Sequence, residues 1–239
     1  MNVALQNKIA KHDLPRAYLE GVQDFYGRDF IVTPDVLIPR PETEQIIDAV
    51  LNLAGKPYLP GVKPAPRVLP KKPVILDVGT GSGCIAITLK MEIPEAEVKA
   101  VDISKPALKI AQKNALKFSV DPNLFIISNL LENVKFTPDV IVANLPYVDE
   151  NWDWLDKESL NKEPKIALYA KEGGLELIKK LIDQSTEKRV KYLILEADPC
   201  QHEKIIEYIN NKYKLIDKRG YILTFLLLNA ISYNLRVSH

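Results

Sequence analysis

The sequence predicts an α/β fold of the Rossmann-like kind, a mostly parallel seven-stranded sheet that ends in an antiparallel hairpin. Three observations carry that expectation. From Val74 onward, short aliphatic runs alternate with segments of helical periodicity, the pattern of repeated βαβ units. The strands read as near-continuous apolar runs, as they do when both faces of a sheet are covered. The last two strands are separated only by Asp217 to Gly220, too short for a crossover helix, so they pair antiparallel.

The elements follow in order. Residues 24–39 read as a small β-hairpin. Pro41 to Leu53 reads as a helix, with Pro41 in its first turn and Glu42 and Glu44 complementing its dipole. The next stretch, AGKPYLPGVKPAPRVLPKKP, has prolines at 57, 60, 64, 66, 70 and 73 and is expected to be an extended connector. The domain boundaries expected are therefore 1–54, a short N-terminal segment; 55–73, the connector; and 74–239, the α/β domain. Within the last, Val74 to Leu76 is a strand and Cys84 to Leu89 a helix. Glu97 to Val101 is a strand, followed by a helix capped by Ser104, begun with Pro106 and ending near Phe118. Leu124 to Ile127 and Val140 to Ala143 are strands, and Leu175 to Ile182 is a helix. Tyr192 to Leu195 is a strand, Cys200 to Asn210 a helix, and Tyr213 to Ile216 and Tyr221 to Leu228 form the hairpin.

Composition limits the function. The 239 residues are 46% hydrophobic and 26% charged, with a formal net charge of +1. No overall positive field favours a polyanion, which speaks against a nucleic-acid substrate. The two cysteines, Cys84 and Cys200, are far apart, so neither a disulfide framework nor a zinc site is expected, and no metal at all. His12, His202 and His239 form no cluster and read as surface residues. The opening MNVALQNKIAKHDLP lacks a secretory pattern, and no apolar run is long enough to span a membrane. A cytoplasmic setting is the expectation; the sequence says nothing about oligomeric state.

The stretch 74-VILDVGTGSGCIAITL-89 is strand, glycine turn, helix. Gly79, Gly81 and Gly83 let the backbone turn and approach a ligand, and the following helix offers free N–H groups. Asp102 ends the next strand about 20 residues on, where a carboxylate accepts ribose hydroxyls. The pair points to a nucleoside-bearing cofactor. NAD and S-adenosyl-L-methionine both fit this much of the pattern.

The strand Val140 to Ala143 runs into Asn144, Leu145, Pro146 and Tyr147. Such a strand end lies where ligands bind in open α/β sheets. The side-chain carbonyl of Asn144 and the main-chain carbonyl of Leu145 are acceptors for both N–H bonds of a planar NH₂. Pro146 fixes the backbone, and Tyr147 offers a ring to a flat group. Beside a bound S-adenosyl-L-methionine, the nitrogen so held faces a sulfonium methyl group. Asn144 and Tyr147 are thus the candidate catalytic residues.

Taken together, these motifs resemble the PrmC/HemK family, S-adenosyl-L-methionine-dependent methyltransferases that modify a glutamine of peptide chain release factors. The resemblance is carried by 25-FYGRDFIVTPDVLIPRPETE-44, 74-VILDVGTGSG-83, 101-VDIS-104 and 144-NLPY-147. It continues through 163-EPKIALYAKEGGLELIKKLI-182 and 195-LEADPCQ-201. It implies a class I methyltransferase fold and a release factor as protein substrate. It implies that Gly79, Thr80, Gly81, Ser82 and Gly83 surround the cofactor, with Asp102 on the ribose, Leu130 on the adenine and Asn144 beside them. It further implies that Asn144, Leu145, Pro146 and Tyr147 hold the target amide. The same placement allows Arg40, Glu42 and Glu44 a role near the methionine end of the cofactor.

Three departures accompany the resemblance. Asn129 stands where the family more often has an acid, which leaves only an apolar adenine contact from Leu130. Leu145 replaces a proline, and the resulting Asn-Leu-Pro-Tyr is the form of rRNA adenine dimethylases; the alternative is therefore N6-adenine methylation of RNA or DNA. The family's helical N-terminal domain is shortened here, so the recognition surface is expected to be reduced, or supplied by the connector or a partner.

Overall fold

The computed structural model describes residues 14–58, 63 and 65–228. His12, His239, Pro60 and Pro64 lie outside that range.

The first element among the described residues is a short helix, α1 (Arg16–Glu20), which ends at Gly21 in the left-handed conformation. A hairpin follows, β1 (Val22–Phe25) and β2 (Arg28–Ile31), shorter and earlier than the expected 24–39. Its turn is Tyr26-Gly27, both at positive φ, the backbone that matches strand twist across a two-residue loop. Beyond Ile31, Pro34 and Pro39 break strand pairing and the chain runs irregular but anchored. Val32, Val36 and Ile38 are buried against Ala17, Tyr18, Ala107 and Ile110. The expected helix from Pro41 begins as a 3₁₀ turn, Pro41–Thr43, and continues as α2 (Glu44–Leu53). Of the connector's described residues, most are exposed. Leu69 is buried, and its N–H and that of Val68 donate to Leu53 O.

The sheet proper contains β3 (Val74–Val78), β4 (Glu97–Asp102), β5 (Phe125–Ile127), β6 (Val140–Ala143), β7 (Tyr192–Glu196), β8 (Tyr213–Arg219) and β9 (Ile222–Leu227). Its order is β5-β4-β3-β6-β7-β9-β8, seven strands as expected. β3 pairs parallel with β4 on one side and β6 on the other, so the winding reverses there. That switch point is where open α/β sheets open a crevice at their carboxyl edge. β9 enters antiparallel between β7 and β8. β8 is longer than expected because Asp217 to Arg219 continue it past a bulge at Leu215/Asp217. As an edge strand it exposes Lys214 and Lys218, which discourages further pairing.

The helices are α3 (Cys84–Glu92), α4 (Lys105–Lys117), α5 (Lys157–Leu160), α6 (Glu176–Glu187) and α7 (His202–Ile209). The pleat sends alternate strand residues to opposite faces. Ile75, Val140, Val142 and Ile194 join α2 and α3 in one core. Leu76, Ile141, Ala143, Leu193 and Leu195 join α6 and α7 in the other. Ser104 caps α4 by accepting from Ala107 N, as expected. The 3₁₀ turn before α7 is capped by Asp198 and Gln201 in a reciprocal box. His202, expected at the surface, is instead fully buried, with Nε2 bonded to Ala197 O at 3.2 Å; α7 packs that face onto the sheet.

Candidate active site

Four strand ends meet at the carboxyl edge of the sheet. After β3 comes the glycine turn, after β4 Asp102 to Ser104, after β5 Ser128 to Leu130, and after β6 Asn144 to Pro146. Residues from each of these segments line one cavity of about 250 Å³. The remaining wall comes from Asp35, Val36, Leu37, Pro39, Arg40 and Thr43, from Val78, Cys84, Ile85 and Ala107, and from Ile166, Ala167 and Leu177.

The glycine turn is held from below. Gly79 and Thr80 donate to Val101 O at 2.9 and 3.0 Å, and the Thr80 hydroxyl donates to Asp77 Oδ2 at 2.6 Å. At Gly81, φ is +54° and nothing lies within 4 Å of where a Cβ would stand, so the backbone faces open cavity. A Cβ at Gly79 would sit 3.0 Å from Leu145 Cδ2. The leucine that replaces proline therefore packs under the turn, a role for its side chain that the sequence does not announce. Gly83, at φ +82°, is not in the cavity wall. It lets α3 approach Ala111 and Phe125, each 3.1 Å from its missing Cβ, so its part is packing.

Asp102 receives two backbone N–H groups, Gly81 to Oδ2 at 2.9 Å and Ser104 to Oδ1 at 2.8 Å. These fix the carboxylate across the mouth of the turn. Burial nevertheless holds its pKa above the usual carboxylate range, with those hydrogen bonds pulling the other way. A carboxylate has about four lone-pair sites, so acceptors remain for two hydroxyls. Deeper, Asp77 is fully buried and its pKa is pushed up to about 7 by desolvation; among the described residues Oδ1 has no hydrogen-bond partner. Leu130 lies in the wall at φ +46°, its carbonyl accepting from Ser128 Oγ at 2.8 Å.

Asn144 follows β6. Its Nδ2 donates to Thr43 Oγ1 at 3.0 Å. Among the described residues no donor reaches its Oδ1 or the Leu145 carbonyl. Pro146 is in the wall; Tyr147 is not. The Tyr147 ring packs against the second core, and its hydroxyl donates to Glu196 Oε1 at 3.3 Å. Burial first, then the Glu196 charge, pushes that phenol far above ordinary tyrosine. Glu196 itself is 1% exposed, and desolvation raises its carboxyl to about 7. Hydrogen bonding from Thr43 and Tyr147 and the Arg40 charge act against that rise, while Glu42 adds to it.

The charged residues of the N-terminal segment divide by role. Arg40 is in the wall and pairs with the buried Glu163, which also accepts from Ile38 N at 3.0 Å. Glu44 Oε1 accepts from Tyr26 N at 2.7 Å, so it fastens the hairpin. Glu42 is exposed and outside the wall. Asn114, buried on α4, joins the regions: Nδ2 donates to Ser82 O and Ile31 O, and Oδ1 accepts from Ile31 N. Sequence reading missed Thr43, Glu196 and Asn114 as site supports. For Glu196 a signal existed, because a parallel strand beside β6 must end next to Asn144.

The strand order, the glycine turn and the acid ending β4 define a class I methyltransferase. A solved ribosomal protein L11 methylase from Lactobacillus delbrueckii subsp. bulgaricus shares this fold at TM-score 0.53 and 21% identity. The match covers 85% of this chain and 87% of that one. The family model "Methyltransferase small domain" matches residues 66–160. Release factor glutamine methyltransferase of Koribacter versatilis is 43% identical over 220 residues, 87% of this chain and 72% of that protein. The chain belongs to the release factor glutamine methyltransferase family, whose enzymes depend on S-adenosyl-L-methionine. It is also 39% identical over 226 residues to a bifunctional methyltransferase of Rickettsia bellii, of which it spans 40%.

The cavity suits that cofactor on its own evidence. The space at Gly81 is one a side chain would fill, Asp102 is fixed at its edge with acceptors to spare, and Leu130 supplies an apolar wall.

Proposed function

We propose that this chain transfers a methyl group from S-adenosyl-L-methionine to the side-chain amide nitrogen of a glutamine in peptide chain release factors. Family membership supports the reaction. The observation that carries it is Asn144, at the tip of β6 in the cavity wall, with its NH₂ end engaged by Thr43 and its oxygen end without a partner among the described residues.

The proposed roles follow the geometry. Gly79, Thr80, Gly81 and Ser82 bring backbone close to the cofactor, Asp102 accepts its ribose hydroxyls, and Leu130 packs on its adenine. When bound, the cofactor would supply an electrophilic methyl group, its carbon–sulfur bond breaking to leave S-adenosyl-L-homocysteine. Asn144 Oδ1 and Leu145 O accept the two N–H bonds of the glutamine amide, and Pro146 and Tyr147 keep that segment in place. The amide nitrogen is a weak nucleophile, so orientation is the main contribution; well-aligned reactants gain up to roughly 7–11 kcal/mol in intramolecular models. The two carbonyls also favour positive charge developing on N–H, and the proton leaves to water.

Labelled S-adenosyl-L-methionine, presented with a release factor, its target Gln→Ala variant and rRNA, tests the proposal. Label on the release factor alone, absent from the Gln→Ala variant, supports it. Label on RNA would support adenine methylation instead.

A further inference from the structure

We propose that Asn114 is a positioning residue for cofactor binding, and that it couples the N-terminal hairpin to the glycine turn. Cofactor held at the turn steadies the hairpin, and loss of the link weakens the cofactor. The coupling concerns the cofactor side of the cavity and holds whichever group accepts the methyl. Asn114 is fully buried on α4, among the buried apolar residues Ile110, Ala111 and Ala115 of the same helix. Both donors and the oxygen of its amide are used on main chain. Nδ2 donates to Ser82 O at 2.9 Å and to Ile31 O at 3.0 Å, and Oδ1 accepts from Ile31 N at 2.7 Å. Those three bonds fix which way round the amide lies.

The two ends of this link belong to different walls of one cavity. Ser82 is in the wall, next to Gly81 with its open face. Its carbonyl comes within reach of α4 because Gly83 has no side chain; a Cβ there would stand 3.1 Å from Ala111 Cβ. Ile31 is the last residue of β2 and lies across from Val22. The next residue, Val32, donates its N–H to Gly21 O. Hydrogen-bonding directions alternate along antiparallel strands, so the N–H and C=O of Ile31 point off the free edge of the hairpin. There the Asn114 amide takes the place of a third strand. From Ile31 the chain runs on to Val36, Leu37, Pro39 and Arg40, all in the cavity wall.

One side chain thus sets the separation between the glycine turn and the start of the N-terminal wall. A cofactor filling the cavity meets both, and gains from both only when they stand at the right distance. Loss of the amide leaves three main-chain groups without that partner, and the two walls relax independently. By thermodynamic reciprocity, a link that raises cofactor affinity makes bound cofactor stabilise the hairpin to the same extent.

Two variants and one measurement on the unaltered chain test the coupling. Asn114→Ala removes the link; Asn114→Asp keeps an oxygen for Ile31 N but sets another against the carbonyls of Ser82 and Ile31. Titration calorimetry with S-adenosyl-L-methionine is expected to show Kd raised roughly 10- to 100-fold in Asn114→Ala and at least as much in Asn114→Asp, since main-chain hydrogen bonds at the site are lost. With a release factor as acceptor, kcat at saturating cofactor is expected to stay within about threefold of the parent, because Asn144 is untouched. Amide hydrogen exchange reads the reciprocal effect: saturating cofactor is expected to slow exchange at Val32 N–H about tenfold or more in the unaltered chain, and to lose that effect in folded Asn114→Ala. A Kd within about twofold of the parent in a folded variant, a kcat that falls as far as the affinity, or Val32 exchange that cofactor leaves unchanged would each overturn the coupling. The exchange measurement needs no variant, so it decides the matter even where both substitutions prevent folding. Neither Kd nor exchange needs an acceptor, so a chain that shows both effects yet labels no release-factor glutamine would overturn the functional reading and leave the coupling standing.

Discussion

Gln201 grips the carbonyl of Tyr147: its Nε2 donates to Tyr147 O at 2.7 Å and to Gly173 O at 2.7 Å. One buried amide thus ties the segment beyond β6 to the turn ahead of α6. The approach is close because Gly174 has no side chain. A Cβ there would stand 1.8 Å from Tyr147 O and 2.4 Å from Gln201 Nε2, at a φ of +82°.

Gly174→Ala is therefore expected to force the Asn144–Tyr147 segment to move. The cost combines backbone strain with a broken buried hydrogen bond and is about 3 kcal/mol or more. Urea unfolding measures it. A variant as stable as the parent would show that this contact is not a constraint.

Asp77 predicts how stability varies with pH. Its folded pKa is raised to about 7 from a reference of 3.8, chiefly by desolvation, so the folded chain binds this proton more readily than the unfolded one. The contribution to stability is fully present below the unfolded value and is lost as pH rises through about 7. Asp77→Asn should then raise the Tm at pH 8 by roughly 5 °C in the absence of cofactor and change it little at pH 4. Calorimetry at the two pH values checks this. A Tm gain that is the same at both would contradict it.

Asp102→Asn exchanges a carboxylate held by two backbone N–H groups for an amide with one acceptor. Hydrogen bonds to charged groups are worth about 1.5–3 kcal/mol, so cofactor binding should weaken by roughly 10- to 100-fold. Titration calorimetry with S-adenosyl-L-methionine measures this. An unchanged Kd would remove Asp102 from the cofactor site.

Much of this architecture was legible because its signals are local. The strands β3, β6 and β7 announce themselves as aliphatic runs, and the glycine turn and Asp102 fall at fixed offsets within one βαβ unit. The cofactor cavity could be anticipated from those alone. The supports of Asn144 could not, because Thr43 is 101 residues away in sequence and joins it only in three dimensions. The hairpin lies earlier than the sequence suggests because its turn, Tyr26-Gly27, puts a non-glycine residue at positive φ. Residues 32–39 look strand-like by their alternating Val32, Val36 and Ile38, yet those side chains pack on α1 and α4 while the prolines prevent pairing. The burial of His202 is not legible because nothing in its neighbours reveals that α7 turns its first residue inward.

In the proposed reaction Asn144 holds the target amide and does not serve to bind the cofactor. The most direct measurement compares kcat with cofactor Kd in Asn144→Ala, using a release factor as acceptor. The expected result is a kcat lowered by about 100-fold or more, with Kd for S-adenosyl-L-methionine within about threefold of the parent. A kcat near the parent's, or a loss of cofactor binding as large as the loss of turnover, would contradict it.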